Sequence, residues 1–152
     1  AQADIDSYLA ARIIDFIRFE FLRLKISFTF ETVMSHISKV EFLKTAKQQG
    51  FKTYLYYVAT FNPEINIARV KYRVSAGGHA VPEQKIRDRY YRSMNLLMQA
   101  VESTDRTFIF DNSSDGERAA FLAEIEQAEI LKLNPEISKF PLCFIDKVLS
   151  QF

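Results

Sequence analysis

The chain has 152 residues, 48% of them hydrophobic, with 20 Lys plus Arg against 19 Asp plus Glu for a formal net charge of +1. Its 14 Phe and 7 Tyr supply far more apolar surface than chains that fail to offset their conformational entropy, which excludes a disordered tail and predicts one domain at most. No stretch approaches the ~20 apolar residues of a membrane span. The start, Ala1-Gln2-Ala3-Asp4, lacks the basic residues and apolar run of a secretory signal, so a soluble cytoplasmic protein is expected. One cysteine, Cys143, in Phe140-Pro141-Leu142-Cys143-Phe144-Ile145, excludes an internal disulfide and reads as a buried thiol. With two histidines, His36 and His79, a four-Cys or Cys2His2 zinc site cannot be assembled, while metal held by carboxylate stays open. None of the four glycines is followed by Lys, so the chain holds no Gly-Lys-Ser/Thr phosphate-binding loop.

Residues 4 to 24 read as an amphipathic helix, with Asp4, Asp6 or Ser7 as N-cap and Leu9, Ile13, Phe16, Ile17, Phe21 and Leu24 at helical spacing. Ile26-Ser27-Phe28-Thr29-Phe30 then alternates, which predicts a strand ending near Glu31. A helix capped by Ser35 or Ser38 runs to Gly50. Residues 52 to 60 are almost continuously β-prone and predict a strand covered on both faces, as in a parallel sheet. Asn62-Pro63-Glu64 opens a helix to about Ser75 by placing Pro at its first position, and Gly77-Gly78 breaks it. Val81-Pro82-Glu83 starts a longer helix with Ile86, Tyr90, Met94, Leu97, Met98 and Val101 on one stripe, followed by a short strand, Thr107-Phe108-Ile109-Phe110. This alternation predicts an α/β core around a parallel sheet. Residues 121 to 133 fit one helix or two strands equally by periodicity, and Pro141 opens a short C-terminal helix from Leu142 to Leu149.

Charge is concentrated between Arg69 and Arg92, where Arg69, Lys71, Arg73, Lys85, Arg87, Arg89 and Arg92 face only Glu83 and Asp88. That local balance of +5 leaves the rest of the chain at −4. Arg69 and Arg73 share one helical face, as do Lys85, Arg89 and Arg92, with a Gly-Gly-His loop between the two helices. Clustered guanidinium forks suit bidentate recognition of phosphate or carboxylate, although a basic run is as often a solvated face. Ligands of a parallel α/β sheet bind at the carboxyl ends of its strands. Glu31, with Thr32 and Ser35 behind it, is therefore placed to meet a substrate or a hydrated metal, or else simply stands ahead of a helix N-terminus. Asp111-Asn112-Ser113 ends another strand and reads equally as site or turn. His36 reads as a structural histidine, and His79, inside the basic loop, as the functional one of the two.

Taken together, Phe30-Glu31-Thr32-Val33-Met34-Ser35-His36, Ala46-Lys47-Gln48-Gln49-Gly50-Phe51, Asn66-Ile67-Ala68-Arg69-Val70-Lys71-Tyr72-Arg73-Val74, Gly77-Gly78-His79-Ala80-Val81-Pro82-Glu83, Arg89-Tyr90-Tyr91-Arg92-Ser93 and Asp111-Asn112-Ser113 resemble the small bacterial zeta-toxin-like P-loop kinases over roughly residues 4 to 133. The resemblance implies ATP and Mg2+ as cofactors, phosphorylation of a nucleotide sugar such as UDP-N-acetylglucosamine, and frequent pairing with an antitoxin protein. It implies a catalytic set of Glu31, Arg69 and Arg73, with Glu31 on the sugar-nucleotide and magnesium side and Arg69 or Arg73 as the lid arginine at the γ-phosphate. Thr32, Ser35, His79, Arg89 and Arg92 would bind substrate or phosphate, and Asp111 and Asn112 would lie on the nucleotide side. His79 stands near where larger members carry a second lid arginine, a duty that Arg89 or Arg92 would then take. The implied architecture is one P-loop-kinase-like domain with a lid over 69–92, a C-terminal β-hairpin and a short helix. The family's opening strand, Gly-Lys-Ser/Thr loop and second acidic strand are missing from this chain, which is expected to be N-terminally incomplete and inactive alone.

The competing readings are a catalytically inactive interaction module and a nucleic-acid-binding module using the basic 69–92 surface. The net charge of +1 argues against the second, because generic nucleic-acid affinity comes from many phosphate contacts.

Overall fold

The computed structural model describes residues 7–116 and 118–139. The chain divides into two compact units, Ala1–Thr32 and Val33–Phe152. The first is built on α1, Ser7–Arg23, as its helical spacing predicts, with Arg18–Asp15 and Arg23–Glu20 pairs one turn apart. After Lys25, at φ 57°, the Ile26 N–H returns to the Phe21 carbonyl at 2.9 Å. The expected strand over 26–30 is not formed; residues 26–35 run without regular structure. Alternation decides which way a residue faces, but a strand also needs another strand alongside it, and the sheet does not include this segment. The alternation survives as packing: Phe28 and Phe30 stack at 6.0 Å, Phe28 lies 5.2 Å from Phe21, and the Arg18 guanidinium sits 4.2 Å from the Phe30 ring.

The second unit contains α2 (Ile37–Gln48), β1 (Tyr54–Ala59), α3 (Pro63–Ser75), α4 (Glu83–Glu102), β2 (Arg106–Asp111), β3 (Ala120–Glu126), β4 (Glu129–Leu133) and a 3-10 turn, Pro135–Lys139. The strands form one sheet in the order β1-β2-β3-β4. β1 and β2 are parallel, joined through α3 and α4, while β2–β3 and β3–β4 are antiparallel. The architecture is α/β with a hairpin over residues 120–133, so the two-strand alternative is the correct one. The expected helix over 142–149, Cys143 and the caps Asp4 and Asp6 lie outside the described residues. No helix among the described residues is long and apolar enough to cross a membrane.

Two local expectations are corrected. α2 is capped by His36 rather than by serine: its backbone is extended and its Nδ1 accepts the Ser38 N–H at 3.2 Å. β1 is not covered on both faces. Tyr57 and Ala59 point into the core, whereas Tyr54, Tyr56 and Val58 are 56%, 64% and 56% exposed. Among the described residues β1 stands at the edge of the sheet, and on its exposed face Tyr56 stacks on Phe108 at 5.1 Å and Phe110 at 6.5 Å.

The core lies between α4 and the inner sheet face: Met94, Leu97, Met98, Ala100 and Val101 pack against Tyr57, Ala59, Ile109, Leu122, Ala123 and Ile125. Leu97 is 1% exposed at its centre. Leu97→Ala is expected to cost about 3 kcal/mol, the lost transfer energy plus a cavity the helix cannot collapse into. Urea unfolding would show a lower midpoint at unchanged slope. Tyr72→Ala, at a highly exposed side chain, should stay within about 0.5 kcal/mol.

The amino ends of β1 and β2 are clamped by one reciprocal pair. Asp105 Oδ2 accepts the Thr53 N–H at 2.8 Å and its hydroxyl at 3.0 Å, and the Asp105 N–H returns to Thr53 Oγ1 at 3.0 Å. Burial pushes the Asp105 carboxyl up, but the two Thr53 hydrogen bonds, Lys52 and Lys47 outweigh it and hold the carboxyl below its ordinary value. A carboxyl depressed in the folded state contributes stability above its unfolded pKa, lost as pH falls through the folded value. Asp105→Asn should therefore cost about 1.5 kcal/mol at neutral pH and flatten the acid limb of the stability profile, read by denaturant unfolding from pH 7 to 2.

Candidate functional site

With the amino ends clamped, the carboxyl ends of β1 and β2 carry the loops, which is where an open α/β sheet receives its ligands. β1 leads through Thr60 and Phe61 to Asn62, whose Oδ1 accepts the N–H groups of Glu64 and Ile65 at 2.9 and 3.3 Å, with Pro63 at the first helical position of α3 as its sequence predicts. Thr60 is the junction. Its carbonyl accepts the Tyr90 hydroxyl of α4 at 2.8 Å, and its Oγ1 accepts the Asn66 side-chain N–H at 2.9 Å. One turn along α4, Ser93 shares a 3.2 Å hydrogen bond with Tyr57 of β1. Burial pushes the Tyr57 hydroxyl up, partly offset by that bond. Tyr90 and Ser93 thus dock the Arg89–Ser93 segment of α4 onto β1.

β2 ends in a turn tied to the same place. The Asn112 N–H donates to the Ala59 carbonyl at 2.8 Å, Asp111 Oδ1 accepts both the N–H and the hydroxyl of Ser113, and Ser113 Oγ accepts the Phe61 N–H at 3.0 Å. Arg69 of α3 closes it: Nη1 donates to the Asn112 carbonyl at 2.7 Å, Nη2 to the Ser114 carbonyl at 3.3 Å, and Nη2 and Nε to Asp115 Oδ1 at 2.9 and 3.2 Å.

α3 ends in a turn that separates the roles of the two glycines. The Gly78 N–H reaches the Arg73 carbonyl at 2.9 Å and the Gly77 N–H that of Val74 at 3.0 Å, with Gly77 at φ 92°. Gly78 is required for space instead: a Cβ there would lie 2.8 Å from Arg73 Cγ and 2.9 Å from its carbonyl oxygen. Across the turn, Lys71 pairs with Glu83 at 2.6 Å, and Arg87 with Glu64 and, at 3.6 Å, Glu83. Of the seven cations between 69 and 92, Arg69, Lys71 and Arg87 are therefore engaged, whereas Arg73, Lys85, Arg89 and Arg92 make no ion pair among the described residues.

The residues singled out from sequence fall into separate groups. Arg69, Asp111 and Asn112 meet at the carboxyl end of the parallel pair. Arg73 and His79 are exposed on either side of the Gly77-Gly78 turn, with Arg89 half-buried and Arg92 exposed on α4. Glu31 and Thr32 are exposed in the irregular segment of the first unit, and Ser35 precedes the His36 cap of α2. Among the described residues no three His, Cys, Asp or Glu side chains gather as a metal cage. Sequence reasoning missed Asn66, Asp115 and the Thr60 junction; the Arg-Tyr-Tyr-Arg-Ser string held the signal for Tyr90 and Ser93, since hydroxyls three apart share one helix face.

A curated protein of Haemophilus influenzae (strain ATCC 51907 / DSM 11121 / KW20 / Rd), described as an uncharacterized protein, is 39% identical over 69 residues, which cover 45% of this chain and 49% of that protein. The match thus spans about half the length of that relative. No solved structure matches. The family model described as Zeta toxin matches residues 9–118, most of the chain and every element from α1 to β2, and the chain belongs to the zeta-toxin family.

Proposed function

We propose that the full-length protein is an ATP-dependent kinase of the zeta-toxin type, transferring the γ-phosphoryl of ATP to a hydroxyl of a nucleotide sugar such as UDP-N-acetylglucosamine. The observation that carries this reading is the division of charge on the α3–α4 pair that follows the parallel strand β1: Arg69, Lys71 and Arg87 are engaged in ion pairs, while Arg73, Lys85, Arg89 and Arg92 make none among the described residues. Residues 69–92 act as the lid. Arg73 meets the γ-phosphate, Arg89, Arg92 and His79 hold phosphate oxygens, and Asp111 and Asn112 form the nucleotide side. Glu31, with Thr32 and Ser35, receives the acceptor sugar. In the transfer, the acceptor oxygen forms a bond to the γ-phosphorus, the bond to the bridging oxygen breaks, and ADP leaves. Positioning and charge stabilisation supply most of the rate.

Mg2+ ordinarily keeps several waters and binds through one or two carboxylates plus substrate phosphates, and the exposed Glu31 would supply such a carboxylate. When bound, the ion would neutralise charge on the β- and γ-phosphates. An antitoxin protein is the proposed partner.

The test is the coding sequence ahead of Ala1. An in-frame Gly-x-x-x-x-Gly-Lys-Ser/Thr followed by ATP-dependent transfer in the protein it encodes supports the reading; absence of that motif sinks it.

A further inference from the structure

We infer that Arg69 is a positioning residue that builds the nucleotide-side shelf at the carboxyl end of β2, and that the γ-phosphate falls to Arg73 alone of the two arginines on that face of α3. This deepens the kinase reading and rests on it for the nature of the ligand. Arg69 and Arg73 are one turn apart on the same face, so spacing cannot tell them apart; their surroundings do.

The Arg69 fork is occupied. Its three nitrogens all donate, to two backbone carbonyls in the 112–114 turn and to Asp115. Reaching a phosphate would strip the Asn112 and Ser114 carbonyls of a charged donor, the more costly kind of hydrogen bond to lose. The Asp115 pair is the weaker part of the clasp, because that carboxylate is 89% exposed. The carbonyl contacts matter more, because they fix a turn already held by Phe61 to Ser113 Oγ, Ser113 to Asp111 and Asn112 to Ala59. The result is a shelf of polar backbone joining the loops after both parallel strands. Arg73 has no ion pair among the described residues and its side chain is exposed, so its head is available to an anion.

The experiment uses the full-length protein with Arg69→Ala, Arg73→Ala and Asp115→Asn. Without nucleotide, amide hydrogen exchange at Phe61, Asn112 and Ser113 should accelerate about tenfold in Arg69→Ala, and little in Arg73→Ala or Asp115→Asn. In steady-state assays Arg69→Ala should raise KM for ATP about tenfold with kcat nearly kept, and Arg73→Ala should lower kcat instead. A merely structural arginine would loosen the turn without this split. Unchanged exchange in Arg69→Ala, or a fall in kcat at unchanged KM, overturns the assignment. Accelerated exchange in a protein that transfers no phosphoryl group would leave the clasp standing and overturn the kinase reading and the ligand with it. Should Arg69→Ala fail to fold, Arg69→Lys keeps the charge but not the fork, and the same exchange and KM changes are expected of it.

Discussion

Arg73→Ala in the full-length protein is expected to lower turnover by about 10²–10³-fold while changing ATP binding far less. The expectation comes from what the residue lacks and what holds it. Arg73 makes no ion pair among the described residues, so none of those described has to be broken for it to meet an anion. The Gly78 N–H holds the Arg73 carbonyl at 2.9 Å, which fixes the residue's backbone at the end of α3, and its side chain is exposed. Charge on the transferring phosphoryl group changes most in the transition state, so a preplaced cation acts mainly on kcat. Steady-state and single-turnover kinetics with ATP separate the two effects. A KM change at constant kcat would place Arg73 in ground-state binding.

Glu31→Gln is expected to abolish transfer while leaving the fold intact. The substitution keeps size and hydrogen bonding but removes the charge needed to hold a hydrated cation or orient an acceptor hydroxyl. The alternative, that Glu31 merely complements the dipole of the next helix, predicts a loss of about 0.3–1 kcal/mol and unchanged chemistry. α2 itself begins at Ile37, and the Ser38 N–H at its start is served by His36. Thermal unfolding together with a transfer assay decides. Near-normal turnover with a lowered melting temperature would refute the catalytic reading.

Helices were the most legible part of the fold. Their apolar stripes, the Asn62-Pro63 start and the Gly50 and Gly77 stops are local signals, and α1 to α4 follow them. The stripe from Ile86 to Val101 also identified the core face of α4. Strand pairing was less legible because it depends on what lies alongside. Residues 26–30 alternate like a strand but belong to no strand of the sheet, and β1 reads as doubly covered yet leaves Tyr54, Tyr56 and Val58 exposed on one face. At the candidate site, composition located the cations but not their duties. Arg69 and Arg73 are equivalent in sequence, and only contacts with residues more than forty positions away, at Asn112, Ser114 and Asp115, distinguish them. His36 illustrates the reverse case, a local cap in which histidine takes the place that serine or asparagine usually fills.

The most direct measurement is transfer of labelled γ-phosphoryl from ATP by the full-length protein to nucleotide-sugar acceptors, run beside Arg73→Ala and Glu31→Gln. The account predicts label on a hydroxyl of a nucleotide sugar with the native protein and its loss in both variants, each still folded. No labelled acceptor with the native protein, or label undiminished in both variants, would contradict it.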